Sequence, residues 1–523
     1  MKNQFRVLLS FLLSLIILIP AISVAANAAD YDTANATSFV FSDSGITVNG
    51  DTYTGYKVKG TALSITDAGI YVVSGSCSNG TIVVKKNVTG VTLVLDGLTL
   101  SASATAPVTC NKGSKVTIVA KAGTTSTLTD DKYNNDDVYT DTELYPDIEN
   151  AVIKCKDGSD VTIAGTGTIN VNSYGKNGIK GGYDLYEEDD DGNVTDTLLS
   201  TASLTVKEVT LNVSAAVNDG IKSDKELNIL SGNITVSAAD DAVKCDYVLN
   251  IGSEGTEGPE IKVTNANEGI EAARINVYSG NINVYATDDG INTANSDLSN
   301  YSFSYNQYGG YVYVNCTNGD GIDSNGTMLL KGGTLEVYGP SSGDGEPLDA
   351  ESAVSFAGAT VLAVGQNQMN QPLASDGAAY VTFGASSGGR TGGMFGGGNS
   401  SAVTAGNTIS IKDSSGNTLY SGKAVRNASY VIFSSPSLVS GSSYTLYNGS
   451  SSSTSSAAVT SNSGNQPGGN RPGEGGPGQQ PGEGKEINPD DSGTGNMLNT
   501  ILNFLNSVWT WITSFVARIS ALF

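Results

Sequence analysis

A short motif recurs through the middle of the chain, and it limits the folds open to this sequence more than any other feature. Each copy places an apolar residue after a polar residue and a small one, and the clear copies align on Ile179, Ile221, Val243, Ile270, Ile291 and Ile322. Degenerate copies stand at Ile153 and Leu348. From Ile179 to Leu348 the copies are 21 to 42 residues apart, a variable spacing that is typical of solenoid coils. The motif therefore predicts a chain wound into successive coils.

Short runs that alternate apolar and polar residues lie between the motif copies and also precede them. Examples are Ile70–Val73, Val91–Leu95, Leu227–Ile229 and Ile275–Val277, all of strand length and composition. After residue 28, no pattern of helix period appears before residue 496. The sequence thus predicts an all-β parallel β-helix. In such a fold the apolar residue of each run points into a narrow core and stacks on its counterpart one coil away, about 4.8 Å along the axis.

The chain divides into five predicted segments. Residues 1–28 have a positive start, a short apolar run and a small-residue cleavage site after Ala28, which predicts a signal peptide and a secreted protein. Residues 29–353 are the predicted β-helix, and residues 354–459 its last coils and a β-rich C-terminal cap. Residues 460–495 are rich in Ser, Gly and Pro and predict a flexible linker. Residues 496–523 have apolar residues at helix spacing and predict a C-terminal amphipathic helix.

Two roles are open for the helical tail, namely contact with a membrane surface and self-association. Its wide apolar face includes Trp509, and its other face is neutral except for Arg518, a combination that suits insertion at a lipid interface. Asn499, Asn503 and Asn506 disfavour a membrane-spanning helix. Dimerisation of the helix in water is the main alternative. Insertion at a lipid surface would retain the secreted protein at the cell surface.

The composition excludes several partners and mechanisms. The chain has 52 acidic and 28 basic residues, and its net charge of -24 disfavours nucleic acid as a partner. It has no histidine, which removes Ser-His and Cys-His triads and His-ligated zinc. Its five cysteines are irregularly spaced, so we expect mostly buried free thiols. Carboxylates, Lys, Arg and Tyr remain to carry any chemistry.

Three sequence features together resemble a family of secreted clostridial carbohydrate-binding proteins. They are the series of motif copies, including the segment from Gly319 to Gly326, the pair Gly339-Pro340, and Phe433-Ser434-Ser435-Pro436. The resemblance covers residues 40 to 450 and leaves out the linker and the tail. It implies a right-handed parallel β-helix similar to calcium-dependent pectate lyases, with calcium sites and affinity for cellulose and acidic pectic polymers.

An acidic residue stands two places before most of the aligned apolar residues, so stacked coils would place these carboxylates in a column. Neighbouring carboxylates about 4.8 Å apart repel each other, and calcium is bound by oxygen ligands of this kind. The predicted calcium ligands are Asp219, Asp240, Asp241, Glu268, Glu271, Asp288, Asp289, Asp320 and Asp323. The pairs Asp240–Asp241 and Asp288–Asp289 are the preferred candidates, because two-residue acidic corners in nearby coils could converge on one ion. The alternative is ordinary turn chemistry, in which Asp bonds the backbone and Gly adopts a positive φ.

Lysines and tyrosines provide candidate carbohydrate-binding residues. One place after the aligned residues stand Lys154, Lys180, Lys222 and Lys244, followed by Glu271, Asn292, Asp323 and Asp349. Lys180, Lys222 and Lys244 could hold a sugar carboxylate or could offset neighbouring acids. Tyr278 and Tyr285 belong to a tyrosine-rich stretch and could stack on sugar rings, or could only stiffen the sheet.

Three functions remain open from the sequence. The first is non-catalytic, calcium-assisted binding of extracellular polysaccharide. The second is a calcium-dependent pectate-type lyase, in which Lys222 or Lys244 would remove the α-proton of a uronate and would need a lowered pKa to do so. The third is a surface adhesin or scaffold in which calcium only stiffens the solenoid.

Overall fold

The computed structural model describes residues 33–50, 52–182, 201–298, 301–343, 345–367, 369, 371–384 and 402–456, and the backbone of 186–188 and 194–198. These residues belong to the first of two units into which the chain divides, Met1–Ser463. Every regular element in them is a β-strand, as the sequence predicts. They contain no helix that could cross a membrane. The predicted signal peptide, linker and helical tail lie outside the described residues.

The strands fall into three groups along the chain. The N-terminal strands are β1 (Thr37–Ser42), β2 (Gly45–Asn49), β3 (Tyr56–Lys59), β4 (Ala62–Ile65), β5 (Gly69–Cys77), β6 (Thr81–Val84), β7 (Val91–Leu95) and β8 (Thr99–Ser101). The central strands are β9 (Val108–Cys110), β10 (Lys115–Ala120), β11 (Thr125–Thr129), β12 (Ala151–Cys155), β13 (Asp160–Ala164), β14 (Thr168–Ser173), β15 (Asn177–Gly181), β16 (Tyr186–Glu188), β17 (Val194–Leu198), β18 (Ser203–Val206), β19 (Thr210–Ala215), β20 (Ile221–Ser223), β21 (Glu226–Ile229), β22 (Asn233–Ala238), β23 (Val243–Ile251), β24 (Glu260–Asn265), β25 (Ile270–Val277), β26 (Asn281–Ala286), β27 (Ile291–Thr293), β28 (Ser304–Gln307), β29 (Tyr311–Cys316), β30 (Ile322–Ser324), β31 (Thr327–Leu330), β32 (Thr334–Tyr338), β33 (Asp349–Ala350), β34 (Val354–Phe356), β35 (Thr360–Gly365) and β36 (Leu373–Ser375). The C-terminal strands are β37 (Tyr380–Gly384), β38 (Thr408–Asp413), β39 (Thr418–Lys423), β40 (Tyr430–Ser434), β41 (Ser443–Asn448) and β42 (Ser451–Ser456).

Each central coil contributes one strand to each of three parallel ladders. The motif sheet contains the aligned motif, in β12, β15, β20, the starts of β23 and β25, β27 and β30. The second sheet follows it in each coil and includes β18, β21, the ends of β23 and β25, β28 and β31. The third sheet closes each coil and includes β19, β22, β24, β26, β29 and β32. This arrangement is the one expected of a parallel β-helix.

The register of the motif sheet confirms the alignment made from the sequence. Ile179 pairs with Ile221, Ile221 with Val243, and the series continues through Ile270, Ile291 and Ile322. All of these side chains are buried in one continuous core cluster. Full burial of an Ile or Val side chain stabilises the fold by about 1.5–3 kcal/mol, so each coil gains stability from its neighbours.

The ends of the solenoid differ from its middle. At the N-terminal end β2 pairs antiparallel with β1, which itself joins the parallel second sheet through β5. At the C-terminal end β40 pairs antiparallel with both β35 and β37. Strands β38, β39, β41 and β42 form a separate antiparallel sheet, which shares a buried cluster with β32, β35, β37 and β40. Antiparallel pairing thus ends the second ladder at the N-terminal side and the third ladder at the C-terminal side.

The cysteines confirm the expectation of buried free thiols. Cys77, Cys110, Cys155, Cys245 and Cys316 are all buried and none forms a disulfide. Cys110 and Cys155 occupy the same register position in neighbouring coils. They therefore serve as small apolar residues of the core.

The motif glycines have a different role from the one the turn interpretation assigns to them. Gly220, Gly269, Gly290 and Gly321 do not have a positive φ. A Cβ atom at Gly290 would instead collide with Val314 Cγ1 and would lie 2.6 Å from the carbonyl oxygen of Gly321 in the next coil. The glycine is therefore needed for close approach between coils.

We expect Gly290→Ala to destabilise the protein by about 1–3 kcal/mol, because the added methyl group overpacks the contact with Val314. The measurement is the midpoint of chemical unfolding. The matched control is Ala242→Gly, since Ala242 already occupies the equivalent position of its own coil, and it should cost no more than about 1 kcal/mol. In Gly290→Ala/Val314→Ala, the two effects should be less than additive. Strict additivity would show that the clash with Val314 is not the cause.

Candidate functional site

The acidic residues that precede the motif form a column along one corner of the coil. The backbone N–H of the residue after each acid donates to the carbonyl oxygen of the next acid in the column, as from Gly269 to Asp289 and from Gly290 to Asp320, both at 2.9 Å. These bonds fix the acidic residues one coil apart. The column contains Asp219, Asp241, Glu268, Asp289, Asp320 and Glu346.

Three groups of acidic side chains among the described residues are compact enough to share a cation. In each group one oxygen atom from every residue lies within 4.8 Å of the others. The groups are Asp219, Asp240 and Asp241; then Asp241, Glu268 and Glu271; then Asp320, Asp323 and Asp349. Calcium takes about six to eight oxygen ligands, and such carboxylate groups fit it as a partial ligand set.

The structure distributes the predicted ligands differently from the sequence-based preference. Asp288 and Asp289 belong to none of the three groups in the described residues. The Asp240–Asp241 corner lies two coils away from the Asp288–Asp289 corner. At the usual spacing of strands, the distance between the two corners is about 9–10 Å. One ion therefore does not join the two corners. Asp349, by contrast, pairs in register with Asp323 and joins a group, although the sequence analysis did not include it among the ligands.

Lys244 lies within the second acidic group and already neutralises part of it. Its Nζ is 2.7 Å from Asp241 Oδ2 and 2.8 Å from Glu271 Oε2. Burial by itself favours the neutral amine, but the two carboxylates raise the pKa of Lys244 above its ordinary value. Lys244 therefore stays protonated and is unsuited to act as a base. The interpretation of this lysine as a partner for neighbouring acids fits the geometry.

The third acidic group, Asp320, Asp323 and Asp349, lies in a more negative environment. Burial, and then the charges of the neighbouring carboxylates of Asp289, Asp323 and Asp349, raise the pKa of Asp320 to about 8. Two acids of the column also accept hydrogen bonds from the backbone. Asp289 Oδ1 accepts from the N–H of Asp320, and Asp320 Oδ1 accepts from the N–H of Glu346, both at 2.5 Å. Part of the turn interpretation is thus correct, since these acids do bond the backbone.

The remaining lysines of the motif sheet are largely enclosed. Lys154 is 2% exposed and donates to the carbonyl oxygen of Gly182 at 2.8 Å. Burial, and then the charge of Lys180, lower the pKa of Lys154 to about 8. Lys222 is also buried, with its Nζ 3.6 Å from Asp246 Oδ1. A buried lysine of this kind does not reach a polymer that lies on the surface.

The candidate carbohydrate-binding residues do not lie on one face. Lys180, Lys222 and Lys244 belong to the motif sheet. Tyr278 follows the second sheet and stacks on Tyr308, with ring centroids 5.2 Å apart and an interplanar angle of 11°. Tyr285 is in the third sheet, exposed, and packs against Tyr313 with centroids 5.8 Å apart. The tyrosine-rich stretch therefore supplies two separate surfaces rather than a single platform.

Sequence reasoning missed a groove beside Tyr278 on the second sheet. Its lining includes Arg274, Asn276, Tyr301 and Asn306, and its volume is about 710 Å³. The recurring asparagine in runs such as Leu227-Asn228-Ile229 and Ile275-Asn276-Val277 was the available signal. The prediction used only the apolar positions of these runs and did not use the asparagine.

Comparison with known proteins connects these features to carbohydrate binding. A family model described as carbohydrate-binding domain-containing protein matches residues 59–195, 189–255 and 255–391. A protein of Acetivibrio thermocellus with the same description is 29% identical over 257 residues, covering 40% of this chain and 82% of that one. A solved structure of a polysaccharide lyase-like protein from C. thermocellum, a gadolinium derivative, is 21% identical, covers 62% of this chain and 93% of its own, and has a TM-score of 0.31.

The family model matches more than half of the chain, and the matched residues contain the motif sheet, the acidic column and the groove. This protein therefore belongs to the carbohydrate-binding domain-containing family.

Proposed function

We propose that this protein binds extracellular polysaccharide, of the cellulose or acidic pectic kind, and that calcium held by stacked carboxylates assists the binding. Membership of the carbohydrate-binding family supports the polysaccharide part. The observation that carries the calcium part is the group formed by Asp320, Asp323 and Asp349, whose oxygens lie within 4.8 Å of one another.

The physical reason for a cation is the repulsion within this group. Two carboxylates about 4.8 Å apart repel by about 3 kcal/mol at an effective dielectric constant of about 20. Without a cation, such a group reduces repulsion by taking up protons, and burial together with the neighbouring carboxylates raises the pKa of Asp320. Calcium would stabilise the ionised form by contributing positive charge and accepting the oxygens as ligands. The same ion would also reduce the repulsion between this acidic protein and an acidic polymer.

The proposed location of this function is outside the cell, and the predicted signal peptide supports it. The proposed role of the helical tail is to hold the protein at a membrane surface or in an oligomer, with the linker leaving the β-helix free to reach polysaccharide. These parts of the proposal rest on the sequence.

A pectate-type lyase is the second candidate function. The observation in its favour is the pKa of Lys154, which burial lowers to about 8 and which would suit a base. Lys154 is, however, almost completely enclosed, and the raised pKa of Lys244 opposes proton abstraction. Binding without elimination is the function that this arrangement supports best.

We expect insoluble cellulose or calcium-pectate gel to retain the protein and to yield no unsaturated product. The measurements are the fraction retained on cellulose with and without chelator, the fraction retained on the pectate gel in calcium, since chelator dissolves this gel, and ultraviolet absorbance at the wavelength of the unsaturated uronate. Calcium-dependent product that disappears in Lys154→Ala, Lys222→Ala or Lys244→Ala would establish the lyase. Absence of retention on every polysaccharide would favour an adhesin or scaffold.

The second prediction concerns pH. Burial raises the pKa of Asp289 to about 6, of Glu268 to about 7 and of Asp320 to about 8. Between about pH 4 and 8 the folded protein therefore binds more protons than the unfolded chain, so its stability falls as the pH rises through this range. In chelator, the apparent Tm should be higher at pH 5 than at pH 8. Because calcium binds the ionised carboxylates, the increase in Tm that calcium causes should be larger at pH 8 than at pH 5. Equal increases at both pH values would contradict calcium binding at these carboxylates.

The third prediction identifies the group that binds the ion. Asp320→Asn/Asp323→Asn should remove most of the Tm increase caused by calcium, because it removes two carboxylates from the third group. Asp240→Asn/Asp241→Asn should remove less, since Lys244 already neutralises part of the charge there. The matched control is Asp136→Asn/Asp137→Asn, which changes the net charge equally at an exposed pair. An unchanged response to calcium in Asp320→Asn/Asp323→Asn would overturn the assignment.

A further inference from the structure

A ladder of asparagine side chains runs along the second sheet, and two of its members, Asn276 and Asn306, lie at the groove. Asn228, Asn250, Asn276 and Asn306 occupy one register position in four consecutive coils. Each Nδ2 donates to the Oδ1 of the asparagine one coil before it, at 2.9, 3.0 and 3.1 Å in turn. The next residue in register after Asn306 is Leu329, whose side chain has no amide group. Among the described residues, no amide therefore continues the ladder to the Oδ1 of Asn306.

Aromatic rings border the groove on both sides. On one side Tyr278 and Tyr308 stack on each other, and Lys331 lies 5.8 Å from the centroid of Tyr308. On the other side Tyr301 packs edge-on against Phe303, with centroids 5.5 Å apart. The lining consists of hydroxyl, amide, aromatic and charged side chains and one glycine, with no aliphatic side chain. Aromatic rings with nearby hydroxyl and amide groups suit a pyranose, which presents C–H bonds on its faces and hydroxyls at its edge.

Arg274 places a positive charge in the groove. Its guanidinium carbon lies 5.7 Å from the centroid of the Tyr301 ring, which holds the planar group at the groove. No salt bridge joins it to a carboxylate in the described part of the chain. The other arginine in that part, Arg426, donates to the carbonyl oxygens of Cys316 and Gly339 and to Asn315. In a chain with a net charge of -24, an arginine at a groove and free of ion pairs points to an anionic ligand.

We propose that this groove is a glycan subsite that binds a uronate residue directly, with the sugar carboxylate on Arg274. The planar guanidinium offers two parallel N–H donors that match the two oxygens of a carboxylate. The sugar ring would lie between the aromatic borders, and a sugar hydroxyl would donate to Asn306 Oδ1. Glu351, exposed in the same groove, would repel a carboxylate, so the acidic group faces Arg274 and hydroxyls face Glu351. This proposal rests on the proposed function and adds to it the position of the sugar, its acidic class and a contact that needs no bridging cation.

The test compares Arg274→Gln with wild type, using titration calorimetry of the full chain. The probes are hexagalacturonate and cellohexaose, each in calcium and in chelator, at a temperature where circular dichroism shows both proteins folded. We expect Arg274→Gln to bind hexagalacturonate about tenfold more weakly in both conditions, because it loses a charge-assisted bidentate contact. Its affinity for cellohexaose should change less. Tyr308→Ala should weaken the binding of both probes, since it removes an aromatic border.

The matched control is Lys262→Gln, which removes one positive charge from an exposed position on the third sheet. It should bind hexagalacturonate like wild type. Equal affinity of wild type and Arg274→Gln for hexagalacturonate would overturn the subsite while leaving polysaccharide binding intact. Complete loss of wild-type binding in chelator would overturn the direct contact. If Lys262→Gln lost as much affinity for hexagalacturonate as Arg274→Gln, net charge alone would explain the effect and the subsite would be overturned. If wild type binds no polysaccharide in either condition, the proposed function itself fails.

Discussion

Backbone hydrogen bonding between coils is the interaction on which the rest of this structure depends. It places each residue next to its counterpart one coil away, at the spacing of neighbouring β-strands. Equivalent side chains are therefore forced into columns whatever their chemistry. For Ile and Val this is favourable, because a column of branched apolar residues fills the narrow core. For asparagine it is favourable as well, because each amide donates to the carbonyl of the next. For carboxylates it is unfavourable and requires compensation.

The acidic column shows three forms of compensation. Lys244 forms ion pairs with Asp241 of the column and with Glu271 beside it. Backbone N–H groups donate to Asp289 and Asp320. Burial, and then the neighbouring carboxylates, raise the pKa of Asp320 to about 8, so uptake of a proton is a third way to reduce the repulsion. All of these forms of compensation act on the same geometry, in which equivalent acids lie one coil apart.

The sequence was a good guide wherever stacking alone determines the structure. The register of Ile179 through Ile322, the column of acids and the buried free cysteines could all be predicted, because each needs only the alignment of coils. The sequence could not predict features that depend on the conformation of the loops. The position of Tyr301 beside Arg274, and the separation of Tyr278 from Tyr285, follow from turns of irregular length. The close approach of Gly290 to Val314 could not be predicted either, since Val314 belongs to a different sheet.

The order of residues in one column connects the acidic group to the groove. Lys180, Lys222 and Lys244 are followed in register by Glu271, Asn292, Asp323 and Asp349, so the sign of the charge reverses along the solenoid axis. The acidic end of this column adjoins the groove, because Asn325 and Glu351 of its lining lie two residues after Asp323 and Asp349. A cation bound by those carboxylates would reduce the negative potential at the groove and so strengthen binding of an anionic sugar at Arg274 without touching it. By linkage, the sugar would strengthen binding of the cation by the same factor. The proposed calcium assistance and direct recognition of a uronate are therefore compatible, since the ion would act on the field around the groove and the arginine would act on the ligand.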